Sequence, residues 1–154
     1  MESTLHQELK ARAVKYLWNK SHWVARPEVD CGYYGRYDAW GIKSDLITTG
    51  IEVKVSKQDF KNNRYKEAKL NYNLSNTSIF KEHFSAPANF NYILCPKGLL
   101  QLEDMDSRFG LLWFNGTRII NKKKAEFIPM TSKTKLQIVM LFLSSKHNKN
   151  QLTP

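Results

Sequence analysis

Ile51-Glu52-Val53-Lys54-Val55 alternates apolar and charged residues without a break. Successive side chains of a β-strand leave opposite faces. As a strand, this stretch turns Ile51, Val53 and Val55 to a core and sets Glu52 and Lys54 side by side on the other face. Read alone, five such residues describe an amphipathic strand whose charged face meets water. The flanking sequence argues for more. Arg36–Ile42 has the pattern of a second strand, and the polar segment Lys43–Thr49 suits a hairpin-like connection to a strand over Gly50–Val55. Antiparallel pairing of these two strands would carry Asp38, 14 residues before Glu52, to within a few ångströms of it.

Two carboxylates that face each other repel unless a cation lies between them. Hard oxygen ligands with open water positions suit Mg²⁺ or Mn²⁺ better than zinc. Lys54, on the face of Glu52, adds a positive charge beside such an ion. The chemistry that uses this set is phosphodiester hydrolysis. The metal activates water and neutralises the phosphate, and the lysine orients the water or stabilises the charged transition state.

Asp38 followed by Glu52-Val53-Lys54 resembles the D…(D/E)-x-K signature of the PD-(D/E)XK nuclease superfamily. The stretch Glu52-Val53-Lys54-Val55-Ser56, with Asp59-Phe60 and a basic helix carrying Tyr65 and Tyr72, is similar to that of MmcB-like DNA-repair nucleases. So is Tyr92-Ile93-Leu94-Cys95-Pro96 followed by Gly98-Leu99-Leu100. The resemblance runs from about Leu5 to Leu112. It implies a restriction-endonuclease-like fold and a DNA substrate. It also implies that Asp38, Glu52 and the main-chain carbonyl of Val53 are metal ligands and that Lys54 is the catalytic lysine. Many members add an acid from the first helix, for which Glu8 is the candidate; a glutamate stabilised by the helix dipole is the other reading of Glu8. One departure is Tyr37, which stands before Asp38 in place of proline.

Around this centre, Arg36, Lys57, Lys61, Arg64, Lys66 and Lys69 could bind DNA phosphates or form a solvated basic face. Asp59 fits the acid of a helix N-terminus. Tyr33, Tyr34, Tyr37 and Trp40 cluster by Asp38, where packing is favoured over stacking on bases. His6, His22, His83 and His147 share no spacing, which argues against zinc. Cys31 and Cys95 read as buried free thiols. Walker loops, dinucleotide fingerprints and serine-hydrolase elbows do not occur.

The net charge of +10 over 154 residues points to a polyanionic partner, although Asn121–Pro154, with seven Lys and one Glu, holds +6 of it. A signal sequence is not visible, and the apolar run Leu136–Leu143 is too short to span a bilayer, so the expected location is the cytoplasm and no membrane partner is expected. Helices are expected over Leu5–Lys20, Gln58–Tyr72 and Lys133–Ser145, with Thr4 to Gln7 in the form of a capping box. Strands are expected over His22–Asp30 (at an edge, because of Pro27), Phe90–Cys95, Gly110–Phe114 and Arg118–Ile120, the last two joined at Asn115-Gly116. Leu74–Asn89 reads as a loop or short helix inserted in the fold. The whole describes an α/β or α+β domain over residues 1–145, with a mixed sheet flanked by helices and a basic flexible tail over 146–154. A Mg²⁺- or Mn²⁺-dependent deoxyribonuclease is the leading expectation, with a homodimer possible for double-strand cutting. A non-catalytic DNA-binding module of the same fold, acting with a partner, is the alternative.

Overall fold

The computed structural model describes residues 2–30, 36–62 and 88–129, together with Leu136 and Met140. Helix α1 spans Thr4–Asn19. Strands β1 (Val24–Asp30), β2 (Arg36–Ile42) and β3 (Thr48–Val53) follow, then helix α2 over Lys57–Asn62. After these come β4 (Phe90–Pro96), a 3-10 turn over Leu102–Asp104, β5 (Gly110–Phe114) and β6 (Ile119–Lys123). The six strands form one mixed sheet in sequence order. The β1–β2, β2–β3 and β5–β6 pairs are antiparallel, and β3–β4 and β4–β5 are parallel. The protein is therefore an α+β domain built on a mixed sheet.

Ser3, one residue before the expected capping box, is the cap of α1: its hydroxyl accepts the His6 N–H at 3.2 Å. Leu9, Ala13 and Leu17 repeat at four-residue intervals and are fully buried, which is the stripe that seats α1 on the sheet. They join Ile51 and Val53 of β3, Leu94 of β4 and Leu112 of β5 in one cluster, with Val55 packed against it. The apolar half of the Ile51–Val55 alternation thus lies under α1. The neighbours Ile93, Cys95 and Leu111 point to the other face, where Phe60 of α2 covers them. Burial there pushes the Cys95 thiol up to about 11, so this cysteine is inert packing. Tyr37 and Trp40 pack with Val29 and Ala88 in a third cluster.

β3 begins and ends two residues earlier than its alternation suggested, because Thr48 and Thr49 pair with Ile42 and Gly41. Thr48 is further held by Asn89, whose side-chain oxygen accepts from the Thr48 N–H at 3.0 Å. The Asn89 amide in turn donates to the Ile128 carbonyl at 2.9 Å. Those buried amides fix the start of β4 against β3, a polar device that hydrophobic patterning does not reveal. α2 is seen from Lys57 to Asn62; the rest of the expected Gln58–Tyr72 helix, most of Leu74–Asn89 and the 146–154 tail lie outside the described residues. Leu136 and Met140, within the expected Lys133–Ser145 helix, are helical and exposed. Among the described residues, no helix is long and apolar enough to cross a membrane.

Candidate functional site

β2 and β3 pair from Ile42↔Thr48 to Ala39↔Ile51. One residue further, the carboxylate of Asp38 enters the ladder, and its Oδ2 accepts the Val53 N–H at 2.8 Å. Val53 belongs at the same time to the parallel pairing with β4, opposite Leu94. Asp38 therefore stands where β2 ends its pairing with β3, and the polar half of the β3 alternation emerges beside it. Asp38, Glu52 and Lys54 line one cleft of about 500 Å³ with Ser3, His6, Arg36, Val55 and Asp59.

Glu52 and Lys54 are 7% and 6% exposed, so the charged side of this strand is enclosed and does not simply face water. The Lys54 ammonium lies 3.7 Å from a Glu52 oxygen and 3.7 Å from an Asp59 oxygen. Asp59 sits in the first turn of α2, and its own N–H is capped by the Ser56 hydroxyl at 3.0 Å. Ser56 thus does the capping, which leaves the Asp59 carboxylate to turn towards Lys54.

The first helix reaches the cleft through residues that pattern reading passed over. His6 Nε2 lies 3.3 Å from the Val53 carbonyl oxygen and 3.7 Å from Asp38 Oδ2. Its Nδ1 is 2.7 Å from a Glu2 oxygen. One turn on, the buried Lys10 ammonium meets Glu2, Glu28 at 2.8 Å and Asp38 Oδ1 at 3.4 Å. Burial opposes its charge, yet hydrogen bonds to Glu2 and Glu28 and the charge of Asp38 hold its pKa above the usual lysine value. Lys10 in turn keeps the carboxyls of Glu2 and Glu28 below their ordinary range. Glu8, expected as the added acid of this helix, is not among the residues at the cleft. Its carboxylate is exposed and pairs with Arg12 at 3.3 Å.

Glu28 has a left-handed backbone, φ 53, a conformation that costs a non-glycine residue about 1–2 kcal/mol. It is the residue skipped between the pairs Pro27↔Ala39 and Val29↔Tyr37, and would have stood opposite Asp38. The kink delivers its carboxylate to Lys10 and to Arg36, the latter at 2.9 Å. Of the basic residues considered for DNA, Arg36 lines the cleft and Lys57 is exposed at the start of α2. Arg64, Lys66 and Lys69 lie outside the described residues. Tyr37 is buried with its ring over Gly50, and its hydroxyl donates to Asn91 at 2.5 Å, so it packs the sheet and presents no stacking face. Tyr33, Tyr34 and Cys31 are outside the described residues.

Around the cleft, the described carboxylates Glu2, Glu28, Asp38, Glu52 and Asp59 face three cations, Lys10, Arg36 and Lys54. Asp38, Glu52 and Asp59 line the cleft and the Val53 carbonyl lies beside His6, a set of hard oxygen donors that fits a divalent cation.

Neither a family model nor a curated protein matches the chain. Among solved structures, the chain is similar to the SPO1766 protein of unknown function from Silicibacter pomeroyi, at 15% identity over 93% of this chain and 86% of that one, with a TM-score of 0.70. That likeness is one of fold: the chain shares the architecture of this bacterial protein.

Proposed function

We propose that the protein is a divalent-metal-dependent nuclease of the PD-(D/E)XK fold that hydrolyses DNA phosphodiester bonds. The observation that carries this reading is the convergence of Asp38, Glu52 and Lys54 on one cleft. Asp38 and Glu52, with the Val53 carbonyl, are the groups to hold Mg²⁺ or Mn²⁺. A cation bound there would supply Lewis acidity at the phosphate and to water. Lys54, held between Glu52 and Asp59, is placed to orient the attacking water or to stabilise charge on the phosphate. The N-terminus of α1 opens on the same cleft at Ser3 and His6, and its dipole favours an anionic substrate. The +10 charge of the chain suits a polyanion.

The test is cleavage of supercoiled, linear and single-stranded DNA by the full chain in Mg²⁺, Mn²⁺ or chelator. Metal-dependent cleavage that is abolished in Glu52→Gln and Lys54→Ala supports the reading. Chelator-resistant cleavage, or full activity in Glu52→Gln, refutes it.

One observation favours a second reading, a non-catalytic DNA-binding module of the same fold. Asp38 already spends one oxygen on the Val53 N–H and the other on Lys10. Well-folded protein that binds DNA equally with metal or chelator, and cuts none of the substrates, would establish that module.

A further inference from the structure

We propose that His6 is a nitrogen ligand of the cation held at Asp38, with Glu2 as the group that orients it, and that the site consequently prefers Mn²⁺ to Mg²⁺. The inference rests on the metal-site reading above and adds to it a ligand and a choice of metal.

A Glu2 oxygen lies 2.7 Å from His6 Nδ1, where it can accept the Nδ1 hydrogen of a ring whose Nε2 is bound to a cation. Nε2 lies 3.3 Å from the Val53 carbonyl oxygen and 3.7 Å from Asp38 Oδ2. Nε2, the Val53 carbonyl oxygen and Asp38 Oδ2 thus converge, and a cation taking the place of a proton on Nε2 would be shared by all three. Donor atoms of Glu2, His6 and Asp38 lie within 4.8 Å of one another. Ligands at right angles around an ion, each bonded at about 2.1 Å, stand about 3 Å apart. The observed separations are close to that edge.

The histidine–carboxylate pair has the form in which proteins hold metal-binding imidazoles, where a partner on the remote nitrogen fixes the tautomer and ring orientation. Ser3 caps α1 through the His6 N–H, which fixes the backbone of His6 as well. Mg²⁺ takes oxygen ligands and surrenders its water reluctantly, whereas imidazole suits first-row transition metals. A mixed nitrogen and oxygen set therefore shifts selection towards Mn²⁺. The sequence spacing of the four histidines conceals this because a single histidine supplies the nitrogen.

The experiment is pulsed electron paramagnetic resonance of the full chain loaded with Mn²⁺, combined with calorimetric titration of Mn²⁺ and Mg²⁺. Wild type should show ¹⁴N coupling to the metal. His6→Ala and His6→Gln, checked for folding by circular dichroism, should lose that coupling and about 10-fold or more in Mn²⁺ affinity, with a smaller loss for Mg²⁺. Glu2→Gln should keep the coupling and weaken Mn²⁺ binding several-fold. Mn²⁺ bound by wild type without ¹⁴N coupling, and with unchanged affinity in His6→Ala, overturns the proposal while leaving the metal-dependent nuclease standing. Wild type that binds neither metal, with or without DNA, overturns both.

Discussion

Asp38 accepts the main-chain N–H of Val53 at 2.8 Å, so the first acid of the cleft is also a rung of the sheet. Asp38→Ala leaves the fully buried Val53 with an unpaired N–H and should cost about 1–3 kcal/mol. Asp38→Asn retains an oxygen for that N–H and should cost less, although both variants take a charge from Lys10. Urea denaturation of the two variants gives the comparison. Equal losses would show that the bond contributes nothing.

Lys10 ties α1 to β1 and β2 through carboxylates, and its removal should be felt most at neutral pH. The carboxyl pKa values of Glu2 and Glu28 are lowered in the folded state, chiefly by hydrogen bonds from Lys10. A lowered folded pKa gives stability that is present above the ordinary carboxylate value near 4.5 and is lost as pH falls through the folded value. Lys10→Met should therefore destabilise the protein at neutral pH and flatten the loss of stability below about pH 4.5. A variant whose acid limb stays parallel to that of wild type would remove Lys10 from this role.

His22 gives the opposite end of α1 its own pH dependence. The Leu17 carbonyl, 2.8 Å from Nδ1, can only accept, so Nδ1 carries the hydrogen and Nε2 accepts from the Thr49 hydroxyl at 2.9 Å. Burial lowers the His22 pKa from its ordinary 6.5. Stability should be complete above about pH 6.5 and decline below it, as the unfolded chain takes up a proton that the folded chain refuses. His22→Gln should cost about 1 kcal/mol at pH 8 and remove this decline. Thermal melts from pH 8 to 5 decide the matter; an unchanged slope in the variant would contradict it.

Tyr37 and Gly50 fit together across β2 and β3. A Cβ at Gly50 would lie 2.5 Å from the Tyr37 ring, and the bond from Tyr37 to Asn91 keeps the ring from turning aside. Gly50→Ala should cost about 1–3 kcal/mol. Part of that should return when Tyr37→Ala is added, a coupling readable in a double-mutant cycle. Additive losses would mean that the ring yields freely.

The fold was legible where side chains repeat with a single period. The β2 bounds of Arg36–Ile42 and α1 to within a residue follow from such repeats, as does the division of Ile51, Val53 and Val55 from Glu52 and Lys54. The start of β3 was not, because Thr48 is held by Asn89 and Thr49 by His22, contacts between distant segments. The same contrast governs the cleft. Asp38, Glu52 and Lys54 are neighbours by strand pairing alone. His6, Lys10 and Glu2 enter through the docking angle of α1, and Glu28 through a left-handed residue. Glu8 illustrates the limit: two residues along a helix turn the side chain by about 200°, so the face that brings His6 to Asp38 carries Glu8 away.

The borders of the sheet have a bearing on how two copies could meet. Among the described residues, β1 and β6 are its outermost strands. β1 carries Pro27, which has no N–H to offer a newcomer, and the reversed φ of Glu28 beside it breaks the line of the strand. β6 reads Ile119-Ile120-Asn121-Lys122-Lys123 and joins β5 through a register shift. Irregular, proline-bearing and lysine-rich margins resist strand addition from a neighbouring chain. Such margins disfavour growth of the sheet into a fibril, and copies of the proposed nuclease would pair more readily through helices or loops than edge to edge.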